Sequence, residues 1–167
     1  MGKLKYLQVT IRLARHNESK YLSRLAFRSK ASWGYSRHYM STYRPILKIS
    51  QKYLSHFWVY VMEDEKKVLG FFSFIPRGTE ILLDFFFLDP IFKKQGLGKR
   101  MWKAAISVAS KNGWKAFQIV SDPHSLGFYI HMGAELVGFE NSEAMKMLQL
   151  PVLEFKIPER SRIGRAA

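Results

Sequence analysis

The stretch LDPIFKKQGLGKR, Leu88 to Arg100, joins an apolar run to a helical pattern through a loop that carries two glycines and four cations. Behind it, Glu80 to Leu88 (EILLDFFFL) is nearly all apolar, as a central strand covered on both faces should be. Ahead of it, Leu97, Met101, Ala104, Ala105 and Val108 recur at i, i+4, i+7, i+8 and i+11 of one helix, which Asn112-Gly113 ends. The order strand, Asp-Pro turn, glycine loop, helix sets unpaired amides of Gln95 to Lys99 at a helix N-terminus, where the helix dipole favours an anion. Spacing excludes two nucleotide cradles. A P-loop needs Gly where Lys93 stands and Ser or Thr where Arg100 stands, and a dinucleotide fingerprint needs Gly where Met101 stands.

Upstream, Phe57 to Met62, Val68 to Ile75 and Glu80 to Leu88 are separated only by the short polar segments EDEKK and PRGT, which reads as an antiparallel meander. Asp84 is the single charged residue within the apolar run of the last of these strands, and so stands out. Val9 to Leu13 alternates as a first strand. Residues 17–30 read as a helix with Tyr21, Leu22, Leu25 and Ala26 on one face, and SWGYS breaks it. His38 to Lys48 reads as a second helix, kinked at Pro45. Downstream come a strand over Ala116 to Val120, an Asp122-Pro123 cap opening a short helix that stops at Gly133, and strands over Glu135 to Phe139 and Val152 to Lys156. The expected class is α/β (α+β), a mixed sheet of about six to seven strands with about four helices. The expected organisation is one domain over 1–167, with 157–167 a frayed tail.

The chain carries +14 formal charge, so its surface should attract phosphates, acidic substrates or nucleic acid, and the charge alone chooses none of these. Its cations are scattered without a block of five or six, as on a solvated basic face. No cysteine is present, which excludes disulfides, thiolate metal sites and a cysteine nucleophile. None of His16, His38, His56, His124 and His131 falls in a HExxH or other metal spacing, so no metal is expected. No apolar stretch is long enough to span a bilayer and the N-terminus lacks the apolar core of a signal peptide, so a cytoplasmic protein is expected, off the membrane.

Leu88-Asp89-Pro90 with Lys93-x-x-Gly96-x-Gly98 resembles motif A of the GNAT superfamily of N-acetyltransferases, with Lys93 where Arg or Gln is usual. Ser121-Asp122-Pro123-His124-Ser125-Leu126-Gly127-Phe128-Tyr129, then Met132-Gly133-Ala134, is similar to the same superfamily's motif B. There Asp122 replaces the usual Asn, Ser125 the usual Ala and Ala134 the usual Phe. Ala26 to Tyr35 (AFRSKASWGY) is similar to a segment of one bacterial subgroup of the superfamily. The resemblance covers about Glu63 to Gly138 well. It implies a GNAT fold, with a splayed central strand pair.

It also implies acetyl-CoA as co-substrate. The pyrophosphate would lie on the amides of Gln95, Gly96, Leu97, Gly98 and Lys99, with Lys93, Lys94 and Arg100 adding positive potential. The pantetheine arm would run along Phe86, Phe87 and Leu88, with Asp122 and Phe128 beside it. A primary amine would attack the thioester directly. Tyr129 occupies the general-acid position, or packs beside Phe128. Asp84 is the candidate base or acceptor anchor, or else one half of a buried ion pair or a strand-end carboxylate in water, with Glu80 and Glu63 as alternatives acting through water. Asp122 also suits a plain N-cap. Trp33, Tyr35, His38 and Tyr39 are candidates for the acceptor pocket. The acceptor is an unidentified amine, peptide or protein, and the basic surface argues against polyamines. A homodimer is compatible with this reading. Two alternatives stand beside it: a basic nucleic-acid-binding protein, suggested by aromatics among cations at Tyr35 to Tyr39, and a GNAT domain that binds acyl-CoA without catalysis.

Overall fold

The computed structural model describes residues 8–159. Seven strands form one sheet: β1 (Val9–Leu13), β2 (Trp58–Asp64), β3 (Lys67–Arg77), β4 (Glu80–Leu88), β5 (Ala116–Val120), β6 (Glu135–Asn141) and β7 (Gln149–Lys156), in the spatial order β1-β2-β3-β4-β5-β7-β6. Neighbours are antiparallel except β4 and β5, which run parallel. The meander and the mixed sheet are therefore as the sequence implies. The two-residue turn Glu65-Lys66 between β2 and β3 places both residues at positive φ, the geometry that matches the right-handed twist of a hairpin.

Five helices flank the sheet: α1 (Ser19–Ala31), α2 (Arg37–Tyr43), α3 (Gln51–His56), α4 (Leu97–Lys111) and α5 (Leu126–His131). The expected second helix is shorter than its sequence pattern. It ends at Tyr43: Arg44 keeps helical φ and ψ, but Pro45 has no N–H to continue the ladder, and the chain goes on in turns with Leu47 N–H bonded to Tyr43 C=O at 3.1 Å; a separate turn of helix, α3, starts after Ser50, whose hydroxyl caps Tyr53 N–H at 3.0 Å. The buried face of α1 is Leu22, Leu25, Ala26, Ser29 and Lys30, a period-3.6 stripe that excludes Tyr21, which is exposed, and carries a lysine into the interior. The strand ending at Lys156 is followed by Ile157, whose N–H bonds Lys115 C=O at 2.8 Å, so the ordered chain runs past the expected start of the tail. Residues 160–167 of that tail lie outside the described residues.

Two apolar clusters sandwich the sheet. One holds α4, α5 and the sheet face bearing Phe72, Phe74, Leu83 and Phe117; the other holds α1, α2 and the face bearing Val59, Val61, Phe71 and Phe85. Leu83 and Phe85 are two residues apart on one strand yet lie in different clusters. A β-bulge explains this: Ser73 of β3 faces Phe85 while Phe74 faces Leu83, leaving Asp84 as the extra residue of β4 and shifting the side-chain alternation by one.

Gly70 of β3 lies opposite Leu88, and a Cβ there would stand 2.7 Å from the Phe87 carbonyl oxygen and 3.2 Å from Leu88 Cα. Backbone cannot yield as a side-chain tip can. Gly70→Ala is therefore expected to cost about 1–3 kcal/mol, read as a Tm lower by roughly 3–10 °C; an unchanged Tm would mean that β3 and β4 separate freely at that point.

Candidate active site

Pairing between β4 and β5 is confined to Leu82 with Gln118 and Leu83 with Ile119. Beyond the bulge the two strands part, so the backbone of Phe86, Phe87 and Leu88 keeps its β3 partners but has none on the β5 side. Into this gap opens a cleft of about 1130 Å³. It runs from Lys93, Gly96 and Gly98 at one end, past Phe86 and Tyr129, to Asp84 at the other.

At the first end, Asp89 caps the turn after β4 by accepting from Ile91 N–H at 3.2 Å and is held by the Arg28 guanidinium at 2.7 Å. Lys94 and Gly96 then turn through positive φ, 61° and 75°, and Gly96 becomes the N-cap of α4. The first amide to find a helical partner is that of Arg100, bonded to Gly96 C=O at 3.3 Å. The amides of Leu97, Gly98 and Lys99 are left at the start of a 15-residue helix. Gly98 lines the cleft with only the ring of Phe128, 3.5 Å from where its Cβ would be, beside it. A side chain at Gly98 would narrow the cleft without striking protein, so the glycine keeps the approach to those amides clear. Lys93, Lys94 and Lys99 line the same end. Lys93 bonds Ser32 Oγ and stands 4.1 Å from the Trp33 ring centroid, and desolvation holds its ammonium below the usual lysine range. Leu97 points its side chain into the core, and the side chains of Gln95 and Arg100 do not line the cleft.

The bulge residue Asp84 is reached by solvent through the cleft while protein encloses its flanks. Desolvation holds its carboxyl above the ordinary aspartate range; a hydrogen bond from Tyr53 works against that and the negative charge of Glu143 adds to it. Tyr53 Oη donates to Asp84 Oδ2 at 2.6 Å and lies 2.7 Å from Ser73 Oγ, which accepts from Phe85 N–H at 3.2 Å. Among the described residues Asp84 is thus not half of an ion pair. Tyr129 is buried among Phe86, Trp102 and Phe128 yet lines the cleft, and desolvation pushes its phenol well above the ordinary tyrosine range.

Asp122 joins distant parts of the chain. Its carboxylate accepts from Lys30 Nζ at 2.7 Å, from Tyr35 Oη at 2.9 Å and from His124 N–H at 2.9 Å. Desolvation opposes its charge, but the Lys30 ammonium prevails and holds the carboxyl below its ordinary range. Lys30 also lies 4.2 Å from the Tyr43 ring centroid, 5.1 Å from that of Tyr35 and 5.4 Å from that of Tyr39. Tyr35 and Tyr39 stack on each other at 4.0 Å. The basic aromatic run that suggested nucleic acid therefore uses its ring faces within the protein. Trp33 stacks on His124 at 5.2 Å, and both line the cleft; Tyr35 and His38 do not, His38 standing exposed on α2. The weaker base candidates also lie elsewhere: Glu63 is held by Arg12 at 2.8 Å, and Glu80 does not line the cleft. Tyr53, Ser73, Lys30 and Glu143 join the site without having been singled out in the sequence. The one trace of Tyr53 there is the capping residue Ser50 three positions before it.

Residues 16–145, most of the chain, match the family model of the Acetyltransferase (GNAT) domain. The chain belongs to the GNAT acetyltransferases. Solved structures with the same fold include the PaiA N-acetyltransferase of Thermoplasma acidophilum in complex with coenzyme A, 16% identical with a TM-score of 0.71 over 90% of this chain and 99% of that one. A GCN5-related N-acetyltransferase of Rhodopseudomonas palustris is 12% identical with a TM-score of 0.75 over 93% and 99%. A GNAT family acetyltransferase of Elizabethkingia anophelis with acetyl-CoA bound is 15% identical with a TM-score of 0.63 over 89% and 97%. At these identities the likeness is one of fold. No curated protein sequence matches the chain. As a GNAT acetyltransferase it uses acetyl-CoA as co-substrate, and the cleft fits that molecule: free amides with lysines for a pyrophosphate at one end, and an unpaired strand edge for an amide-bearing arm beside it. Among the described residues no helix is long and apolar enough to cross a membrane, and no cluster of His, Asp and Glu could hold a metal ion.

Proposed function

We propose that this GNAT protein transfers an acetyl group from acetyl-CoA to a primary amine by direct attack within a ternary complex. The observation that carries this reading is the parting of β4 and β5 at the bulge, which joins the α4 amides and a carboxylate through one cleft. Acetyl-CoA supplies an activated thioester. The amides of Leu97, Gly98 and Lys99 bind its pyrophosphate with Lys93, Lys94 and Lys99 nearby, and Phe86 to Leu88 offer backbone to the pantetheine arm. Asp84, kept basic above the ordinary aspartate range, takes a proton from the attacking ammonium. Tyr129, whose phenol holds its proton across neutral pH, gives one to the departing thiolate. The bond formed is carbon to nitrogen, and the bond broken is carbon to sulfur.

Charge along the cleft supports an amine in particular. The Asp84 end also holds Glu143 and the Arg77–Glu140 ion pair, with Lys48 exposed nearby, whereas three lysines stand at the other end. The +14 surface charge therefore does not extend evenly into the acceptor end, and an ammonium entering there meets carboxylates.

The test is release of free thiol from acetyl-CoA with a panel of cationic, zwitterionic and anionic primary amines, beside thermal unfolding with CoA. Ligand at 100 times its Kd is expected to stabilise the protein by about 2.7 kcal/mol, a Tm higher by several degrees. No shift at millimolar CoA defeats the proposal at its first step. A shift without thiol release on any amine would make the chain a binding domain, the non-catalytic alternative.

A further inference from the structure

Tyr53 is explained neither by the core nor by the reaction as so far described. Its ring packs edge-on against Phe57 at 4.9 Å and Phe85 at 5.5 Å, contacts that a phenylalanine would make equally well. The hydroxyl is what distinguishes it, and every proton around it can be assigned. Phe85 N–H donates to Ser73 Oγ; Tyr53 donates to Asp84 Oδ2, because an ionised carboxylate only accepts; the Ser73 hydroxyl proton therefore points to Tyr53 Oη. The chain of donors starts at the amide of residue 85 and ends at the side chain of residue 84, a ring that crosses α3, β3 and β4 and encloses the bulge. Ser73 is fully buried, so this ring is anchored in the core.

We infer that Tyr53 is a positioning residue for the reaction proposed above: it fixes Asp84 with one oxygen bound and the other free to take the proton of the incoming amine. A bulge residue has no cross-strand partner to hold its side chain. Without the phenol the carboxylate would turn freely and lose a hydrogen bond to its charged form, which favours protonation. Asp84 Oδ1 has no protein partner among the described residues, so the division between a held oxygen and a reactive one rests on Tyr53. The other charged or titratable groups around Asp84 in the cleft are Glu143 on the loop after β6, Arg77 with Glu140, Lys48, His131 and Tyr129; none of them donates a hydrogen bond to it among the described residues.

The experiment compares wild type, Tyr53→Phe and Ser73→Ala in the thiol-release assay across pH, with CoA stabilisation measured on each. Tyr53→Phe is expected to keep the CoA-induced Tm shift, to lower kcat by roughly 5- to 50-fold, and to move the acid limb of kcat/KM to higher pH by about half a unit to one unit. In an Asp84→Asn background the same change should add nothing further, because the group it positions is gone. Ser73→Ala should move the limb in the same direction by less, and it serves as the test should Tyr53→Phe fail to fold. If the variant that folds keeps a wild-type acid limb and turnover, Tyr53 is packing alone and the inference is wrong. If wild type acetylates no amine, it is the proposed function that fails.

Discussion

Asp84→Asn is expected to lower kcat by roughly 10²- to 10⁴-fold, the range over which a positioned general base acts, while the thermal shift with CoA stays as in wild type. The carboxamide is nearly isosteric and can still accept from Tyr53, so the bulge and the strand parting beyond it should survive. What is lost is the proton acceptor. The pH dependence carries the same information with a definite sign. Asp84 titrates above the ordinary aspartate range of about 3.9, and it works as a base only when ionised. Activity in wild type therefore falls as pH drops through that raised value, and the acid limb should vanish from the residual activity of the Asn variant. A kcat within about threefold of wild type would assign the base elsewhere, with Glu143 and His131 the groups in the same cleft to examine next.

Tyr129→Phe is expected to reduce turnover by roughly 10²-fold with little change in CoA affinity. The ring is held by Phe86 at 6.0 Å, Trp102 at 5.8 Å and Phe128 at 5.4 Å, all contacts a phenylalanine keeps, so the difference isolates the hydroxyl. Desolvation raises this phenol, so it keeps its proton as pH rises through the range in which Asp84 ionises. One acid and one base are thus available together above that range. A proton donor matters most when the leaving thiolate is basic. The deficit of the variant should accordingly shrink with an acetyl thioester whose thiol is more acidic than that of CoA. Equal turnover of wild type and variant would leave Tyr129 as a packing residue beside Phe128.

How far the site could be read in advance depended on whether its parts were local. The α4 N-terminus is local: Asp89-Pro90, Gly96, Gly98 and the helical stripe from Leu97 are within a few residues of one another, and the geometry they require is set by backbone sterics. Asp84 announced itself as a carboxylate in an apolar run. Its partner did not, because Tyr53 sits 31 residues away on a six-residue helix too short to leave a periodic pattern. Lys30 is a similar case. Heptad-like spacing puts it on the buried stripe of α1, but only the approach of Asp122, 92 residues further on, makes an interior ammonium tolerable. The acceptor candidates divide on the same ground. Trp33 reaches the cleft through its stack with His124, Tyr35 turns to Asp122 instead, and His38 faces outward.

The sequence by itself determined the meander, the glycine-rich start of α4, the absence of a cysteine nucleophile and the order of the two GNAT motifs, since each follows from composition, side-chain period, turn chemistry or spacing along a short stretch of chain. Only the tertiary structure decided where the sheet opens and which groups surround Asp84 there. Insertion of one residue opposite Ser73 reverses which face every later side chain of β4 meets and releases that strand from β5. A bulge is set by how two strands pair, and pairing is a relation between segments that neither segment carries alone.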